Sequence, residues 1–242
     1  MEKETLDETV HAAAASRLED ELVLVVSQSA RRVSALELRD EGTQRTGDVP
    51  ASLLPVPLAT PAPELIERLA ELSLVDAVTG RPVRLGDTWA QRAAVLVHLR
   101  HFGCLYCRKQ VDALKKASPE IEALGGAIVT VGTGDLAYGK RFAEELKLPF
   151  RVLVDETMAS YRAAGCVETS LVNWVKPGNL MALARTMQMG YRQAKGGPNQ
   201  QFLGGTHVIS PQRVAFAWIN DDFAGDAPVS RVLGALEDLA DG

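Results

Sequence analysis

Residues 93–111 read AAVLVHL-RHFG-CLYC-RKQV, from Ala93 to Val111. Ala93–Leu99 is an almost continuous apolar run, the pattern of a strand buried on both faces. Val111 and Leu114 follow Cys107 at i+4 and i+7, which places Cys107 on the inner face of a helix. Cys104-Leu105-Tyr106-Cys107 therefore stands where a buried strand hands over to a helix, and this context says more than the C-x-x-C string alone. Cys104 lies at the helix N-terminus, where unpaired N–H groups and the positive end of the dipole favour a thiolate. Arg100, His101 and Arg108 add positive charge to the neighbourhood. Such surroundings lower a thiol pKa from about 8.5 towards neutrality. The asymmetry predicts that Cys104 attacks and that Cys107, buried, resolves by closing a disulfide.

Two blander readings stand beside this one. A C-x-x-C can be half of a zinc site, but neither a second C-x-x-C nor an H-x₃-H occurs, leaving only Cys166, His98 and His207 to complete it. Two packed core cysteines are the other alternative. Cys166 reads as a packed thiol and His98 as a hydrogen-bonded core histidine, while His207, after Gly204-Gly205-Thr206, could approach the thiols.

The alternation continues outward. VTGRPVRL (78–85) marks a hairpin turn, Gly125-Gly126 precedes the strand AIVTV, and Phe150–Val154 is a third strand. Helices are predicted over Cys107–Ala117, stopped by Pro119, and over Asp135–Leu146. After a segment that breaks the pattern (156–203), THVIS and VAFAWI form an antiparallel pair, and a helix runs from about Pro228 to Leu239. This order predicts an α/β fold with a mixed central sheet flanked by helices. Residues 1–72 read as an N-terminal arm. Leu18, Leu22, Val25, Val26, Val33 and Leu36 fit a helix, though Val23, Val25 and Val26 leave a hairpin open. The proline-dense stretch 50–63 is a linker, and Pro61 and Pro63 start a helix through Glu64–Leu72.

The chain has 242 residues and a net charge of −5, with 46% hydrophobic and 24% charged residues. It is long enough to bury a core of its own, and the acidic balance gives no footprint for nucleic acid or an anionic membrane. Three cysteines cannot make a disulfide framework. Glu2, Glu4, Asp7 and Glu8 give the start of the chain the wrong charge for a signal peptide, and the longest early apolar run, Leu22–Val26, is too short to span a membrane. The expectation is a cytoplasmic protein in a reducing compartment.

LRHFGCLYCRKQV, with VTGRPVRL, LPFRVLVDE and QQFLGGTHVIS, resembles the peroxiredoxin-like 2 family, also described as selenoprotein U-like or AhpC/TSA-type. That group includes prostamide/prostaglandin F synthase. The resemblance covers 73–242 and implies a thioredoxin-like fold with a helical insertion (156–203) before the last two strands. It also implies that Cys104 and Cys107 are the redox pair, with Gly205-Thr206 opposite them. The Pro-x-x-x-Thr/Ser-x-x-Cys signature of peroxiredoxins proper is not matched: the relevant positions hold Val97 and His101 before Cys104, and Arg100 and Cys104 before Cys107. Many relatives carry Asp-His-Pro near the last helix, where this chain has Asp226-Ala227-Pro228.

The expected activity is thiol–disulfide oxidoreduction on a peroxide, a disulfide or a related small electrophile. Cys104, Cys107 and Arg100 are the expected catalytic residues, and Phe102, Gly103, Thr206 and Trp174 the expected substrate contacts. Backbone N–H groups from Phe102 to Leu105 would stabilise the developing anion. No bound cofactor or metal is expected; an external thiol system such as thioredoxin would restore the dithiol, and a homodimer is compatible with the sequence. A specialised biosynthetic enzyme, with Trp174, Met181, Met187 and Tyr191 lining its site, is a second reading. A non-catalytic binding or regulatory protein on the same scaffold is a third.

Overall fold

The computed structural model describes residues 62–169, 177–194 and 201–241. The expectations for the arm before residue 62, and Trp174, lie outside them. Helix α1 (Ala62–Ala70) leads into β1 (Ser73–Asp76) and β2 (Pro82–Arg84), a hairpin as the turn signal predicts. Then come β3 (Ala93–His98), α2 (Leu105–Ala123), β4 (Gly126–Gly132), α3 (Leu136–Glu145) and β5 (Arg151–Val154). The insertion carries α4 (Ala159–Ala163) and α5 (Pro177–Gln188), and β6 (Gly205–Ile209), β7 (Val214–Ile219) and α6 (Val229–Ala240) complete the chain.

The seven strands form one sheet in the order β2-β1-β5-β4-β3-β6-β7. β3, β4 and β5 run parallel, while β6 pairs antiparallel with both β3 and β7. The architecture is the mixed sheet with flanking helices that the alternation predicts.

The sheet separates two apolar layers. Val95, Val97 and Leu99 share one face with Val111 and Leu114 of α2, Phe142 of α3, and Val232 and Leu236 of α6. Ala94 and Leu96 face the other way, against Leu65 and Leu69 of α1 and Tyr161 of α4. This period-two division follows from the pleat. α1 is thus packed on the sheet, although the sequence places its residues in the arm.

α2 does not stop before Pro119; it continues through that residue to Ala123. An interior proline removes one helical hydrogen bond and costs about 3 kcal/mol. Burial of the following turn opposes that cost: Ile121 is fully buried and meets Leu236 of α6 beside Gly126. Asp135 caps α3, its carboxylate accepting the N–H of Tyr138 at 2.7 Å.

Candidate active site

The dithiol sits at the carboxyl end of β3, in the layer shared with α2 and α6. Cys104 is the extended residue just before the first turn of α2, and Cys107 lies one turn in, so the two sulfurs fall within reach of each other. The Cys107 sulfur accepts the backbone N–H of Arg100 at 3.2 Å. The hydrogen bond from Cys107 is the largest influence on Cys104; burial opposes it and the Arg100 guanidinium reinforces it, leaving the Cys104 pKa at about 6. Cys107 is pushed the opposite way, chiefly because it donates that hydrogen bond and is buried. The two thiols are thus shifted in opposite directions, Cys104 towards the thiolate and Cys107 towards the thiol.

The basic residues around the pair do unequal work. Arg100 stacks its guanidinium over the Phe223 ring at 4.2 Å and acts on Cys104. His101 is neutral: burial, with Arg100 beside it, lowers its pKa to about 3, and its Nδ1 accepts the Gly103 N–H at 3.2 Å. Arg108 turns towards α3, where it pairs with Glu145 at 3.0 Å. Of the three charges expected near the thiolate, Arg100 supplies the one that acts.

Burial of the thiols is not asymmetric as expected: Cys104 and Cys107 are 1% and 4% exposed. The insertion covers them. Ala194 N–H donates to the Gly103 carbonyl at 2.9 Å, and Leu105 N–H donates to Gln193 Oε1 at 3.2 Å. Tyr106 O–H donates to the Asn179 carbonyl at 2.9 Å, and Tyr191 O–H to Asp112 at 2.8 Å. Three of the four backbone donors expected to meet an anion are therefore already engaged: Gly103 by His101 Nδ1, Cys104 by the His101 carbonyl and Leu105 by Gln193.

Phe102, expected at the substrate, is fully buried against Phe142, with centroids 5.2 Å apart. Its ring fills the space beside Gly132 of β4, where an added Cβ would lie 2.2 Å from a ring carbon. Thr206 pairs across the sheet with Val97 and accepts from Gln110 Nε2 at 3.4 Å, which brings it to the dithiol layer. Met181, named as a site-wall residue, is 46% exposed on α5.

His207 does not approach the thiols. It pairs with Leu96 and shares the opposite layer, as do His98 and Cys166. The rings of His98 and His207 stand 6.2 Å apart, fully buried, and none of their nitrogens has a hydrogen-bond partner among the described residues. His98 is therefore a desolvated histidine rather than the hydrogen-bonded one expected. Burial raises the Cys166 pKa to about 12. Among the described residues no group of three or more His, Cys, Asp or Glu could hold a metal ion.

One residue near the dithiol escaped the sequence reading. Asp226, on the loop between β7 and α6, points a buried Oδ2 that has no hydrogen-bond partner among the described residues; Lys109 Nζ stands 3.7 Å away. Its signal was the acid of Asp226-Ala227-Pro228, where the missing histidine drew attention instead. Surface clefts of about 360 and 390 Å³ lie at the other end of the sheet, around Arg92 and Arg151 and around Gly125 and Arg213, remote from the thiols.

Residues 113–222 match the family model described as AhpC/TSA antioxidant enzyme. The chain is 31% identical over 169 residues to the thioredoxin-like protein AAED1, chloroplastic, of Arabidopsis thaliana, across 64% of this chain and 66% of that one. The chain is similar to AhpC/TSA-type, peroxiredoxin-like proteins. A peroxiredoxin-like 2C protein of Bos taurus is 25% identical over 61% of this chain and 68% of its own length. A prostamide/prostaglandin F synthase of Danio rerio is 29% identical over 42% of this chain and 50% of its own. The fold is also that of the peroxidoxin BcpB of Mycobacterium tuberculosis, with a TM-score of 0.53 at 17% identity over 71% of this chain and 95% of that one. The chain is thus of thioredoxin-like fold, and among its described residues no helix is long and apolar enough to cross a membrane.

Proposed function

We propose that the protein is a thiol-dependent oxidoreductase in which Cys104 is the nucleophile and Cys107 the resolving thiol. The observation that carries this reading is the placement of Cys104 just before the first turn of α2, one turn from Cys107 and beside the Arg100 guanidinium, which lowers the Cys104 pKa to about 6. With a peroxide, the Cys104 sulfur attacks one oxygen, the O–O bond breaks and the departing alkoxide takes a proton. Cys107 then displaces water from the sulfenic acid to give the Cys104–Cys107 disulfide. With a disulfide, the first step forms a mixed disulfide and releases one thiolate; Cys107 releases the second. Two electrons leave the dithiol in either case, and an external thiol such as thioredoxin returns them. Thr206 and Gly103 border the substrate's approach, and a reducing compartment such as the cytoplasm suits the cycle.

The AhpC/TSA match supports the thiol chemistry, and the prostaglandin F synthase relative makes an endoperoxide a substrate worth testing. The test is turnover of peroxides, disulfides and endoperoxides with a thiol reductant, comparing wild type with Cys104→Ser. Mass measurement after mild peroxide should show the loss of two protons mapped to Cys104 and Cys107. Full turnover by Cys104→Ser, or oxidation that spares this pair, overturns the proposal. Stoichiometric oxidation without turnover under every reductant would favour the binding-protein reading.

A further inference from the structure

The backbone around Cys104 is paired with a stretch of the insertion much as one strand pairs with another. Cys104 is extended, with φ −69° and ψ 126°. In extended backbone the C=O of the preceding residue and the N–H of the following one point to the same side. Here these are the Gly103 carbonyl and the Leu105 N–H, and residues 193–194 take both. Ala194 N–H donates to Gly103 O at 2.9 Å, and Leu105 N–H donates to Gln193 Oε1 at 3.2 Å. Gln193 Nε2 donates in turn to the Ala194 carbonyl at 3.1 Å. The carboxamide thus bridges the Ala194 carbonyl and the Leu105 N–H, two groups that bond directly in an unbroken ladder.

Ala194 therefore stands opposite Cys104, as one residue of an added strand does. The other side of Cys104 is closed: its N–H donates to the His101 carbonyl at 3.1 Å, and its C=O accepts the Arg108 N–H at 3.0 Å. The seated segment is held from the surface. Arg192 and Gln193 are exposed, and the Tyr191 hydroxyl anchors the stretch by donating to Asp112.

We propose that residues 193–194 occupy the docking edge of a polypeptide, and that the disulfide on which Cys104 acts lies in an extended segment whose cysteine takes the place of Ala194. This names a substrate class for the dithiol reading above and rests on it. One residue of an extended chain supplies both the N–H for Gly103 O and the C=O for Leu105 N–H, so main-chain bonds seat it whatever its neighbours. A cysteine at that residue lies opposite Cys104. The Cys104 thiolate attacks its sulfur, a Cys104–partner S–S bond forms, the partner's own disulfide breaks, and the partner's second cysteine leaves as a thiolate. Cys107 then bonds to the Cys104 sulfur, and its proton goes to the departing partner sulfur. With the partner gone, 193–194 returns to the edge.

The test uses the reduced full-length chain and three mixed disulfides of thionitrobenzoate. One carries the cysteine of acetyl-Ala-Ala-Cys-Ala-Ala-amide, one the same peptide N-methylated at its cysteine, and one mercaptoethanol. Absorbance of the released thionitrobenzoate reports attack by Cys104. The unmodified peptide should react on the order of twentyfold faster than the mercaptoethanol probe, from two hydrogen bonds at about fivefold each. N-methylation removes the donor to Gly103 O and should forfeit about fivefold or more of that advantage. Gln193→Ala frees the Leu105 N–H and should speed the peptide more than the mercaptoethanol probe, whereas a mere gain in access would speed both alike. Equal wild-type rates for all three probes, or a peptide advantage that survives N-methylation, overturn the docking edge and leave the dithiol reading standing. Release by Cys104→Ser as fast as by wild type overturns the dithiol reading itself.

Discussion

The backbone N–H of Leu105, the first helical residue after Cys104, donates to the side-chain carbonyl of Gln193, 88 positions along the chain. This donor belongs to the helix terminus that would otherwise meet substrate or thiolate. The carboxamide of the insertion stands there instead, and Ala194 closes the adjoining carbonyl of Gly103. Cys104 is 1% exposed, and the 191–194 segment is bonded to the backbone on either side of it. Gln193→Ala should raise the rate of Cys104 alkylation by iodoacetamide severalfold, on the order of the roughly 1 kcal/mol that one hydrogen bond contributes. Quenched-flow alkylation with peptide mapping checks this, and Cys166 should stay unmodified in the folded chain. An unchanged rate would show that the contact does not limit access.

The alkylation rate should also titrate. Cys104 reacts as the thiolate, so its rate rises with pH and reaches half its plateau near pH 6. Cys107→Ala removes the main stabilising hydrogen bond and Arg100→Met the nearby charge, so both move the midpoint upward, Cys107→Ala further. The backbone donor of Arg100 survives its substitution. A midpoint unmoved in both variants would contradict the electrostatic account.

Acid should unfold the protein through the opposite layer. Burial lowers the His98 pKa to about 3, with His207 adding to the effect, and burial lowers the His207 pKa to about 4. Unfolded histidines titrate near 6.5, so as pH falls below that value the unfolded chain takes up protons that the folded chain refuses. Stability is present above pH 6.5 and is lost down to the folded pKa values, by on the order of 3 kcal/mol per histidine. Urea titrations from pH 7 to 4 should show the midpoint falling. Replacing both histidines with leucine should flatten that part of the curve; an equally steep decline in the double variant would assign it to other groups.

Gly204 is a packing requirement. A Cβ there would lie 2.2 Å from the backbone carbonyl oxygen of His98, which cannot move without disturbing β3 and β6. Gly204→Ala should destabilise the fold by about 1–3 kcal/mol, as overpacking does, and lower the melting temperature by several degrees. Gly234→Ala, where an added Cβ meets nothing within 4 Å, is the matched control and should leave the melting temperature unchanged or slightly raised.

Much of the scaffold was legible because periodicity is local. The unbroken apolar run of β3, the amphipathic start of α2 and the turn signals around β1–β2 and β6–β7 each lie within a few residues. Pro119 misled because its local cost is overcome by Ile121, whose burial depends on α6. The covering of Cys104 left no mark near position 104, since Gln193 and Ala194 reach it only through the folded insertion. His101 reads as a cation in sequence and becomes a neutral acceptor when buried. Asp226 was visible as an acid, but its meeting with Lys109 of α2 is a property of the packed loop.

Phe102 and Gly132 carry a consequence for transplanting this chemistry. The loop that presents Cys104 is seated by an aromatic ring lying on a bare position of the neighbouring strand, with only 2.2 Å to spare for a Cβ. Grafting residues 100–107 onto another sheet would therefore move the cysteines without their foundation, unless the host strand also leaves one site side-chain-free at the register of Gly132. The smallest transferable unit is a two-strand piece, and a protein engineer copying only the sulfur-bearing loop should expect it to sit askew.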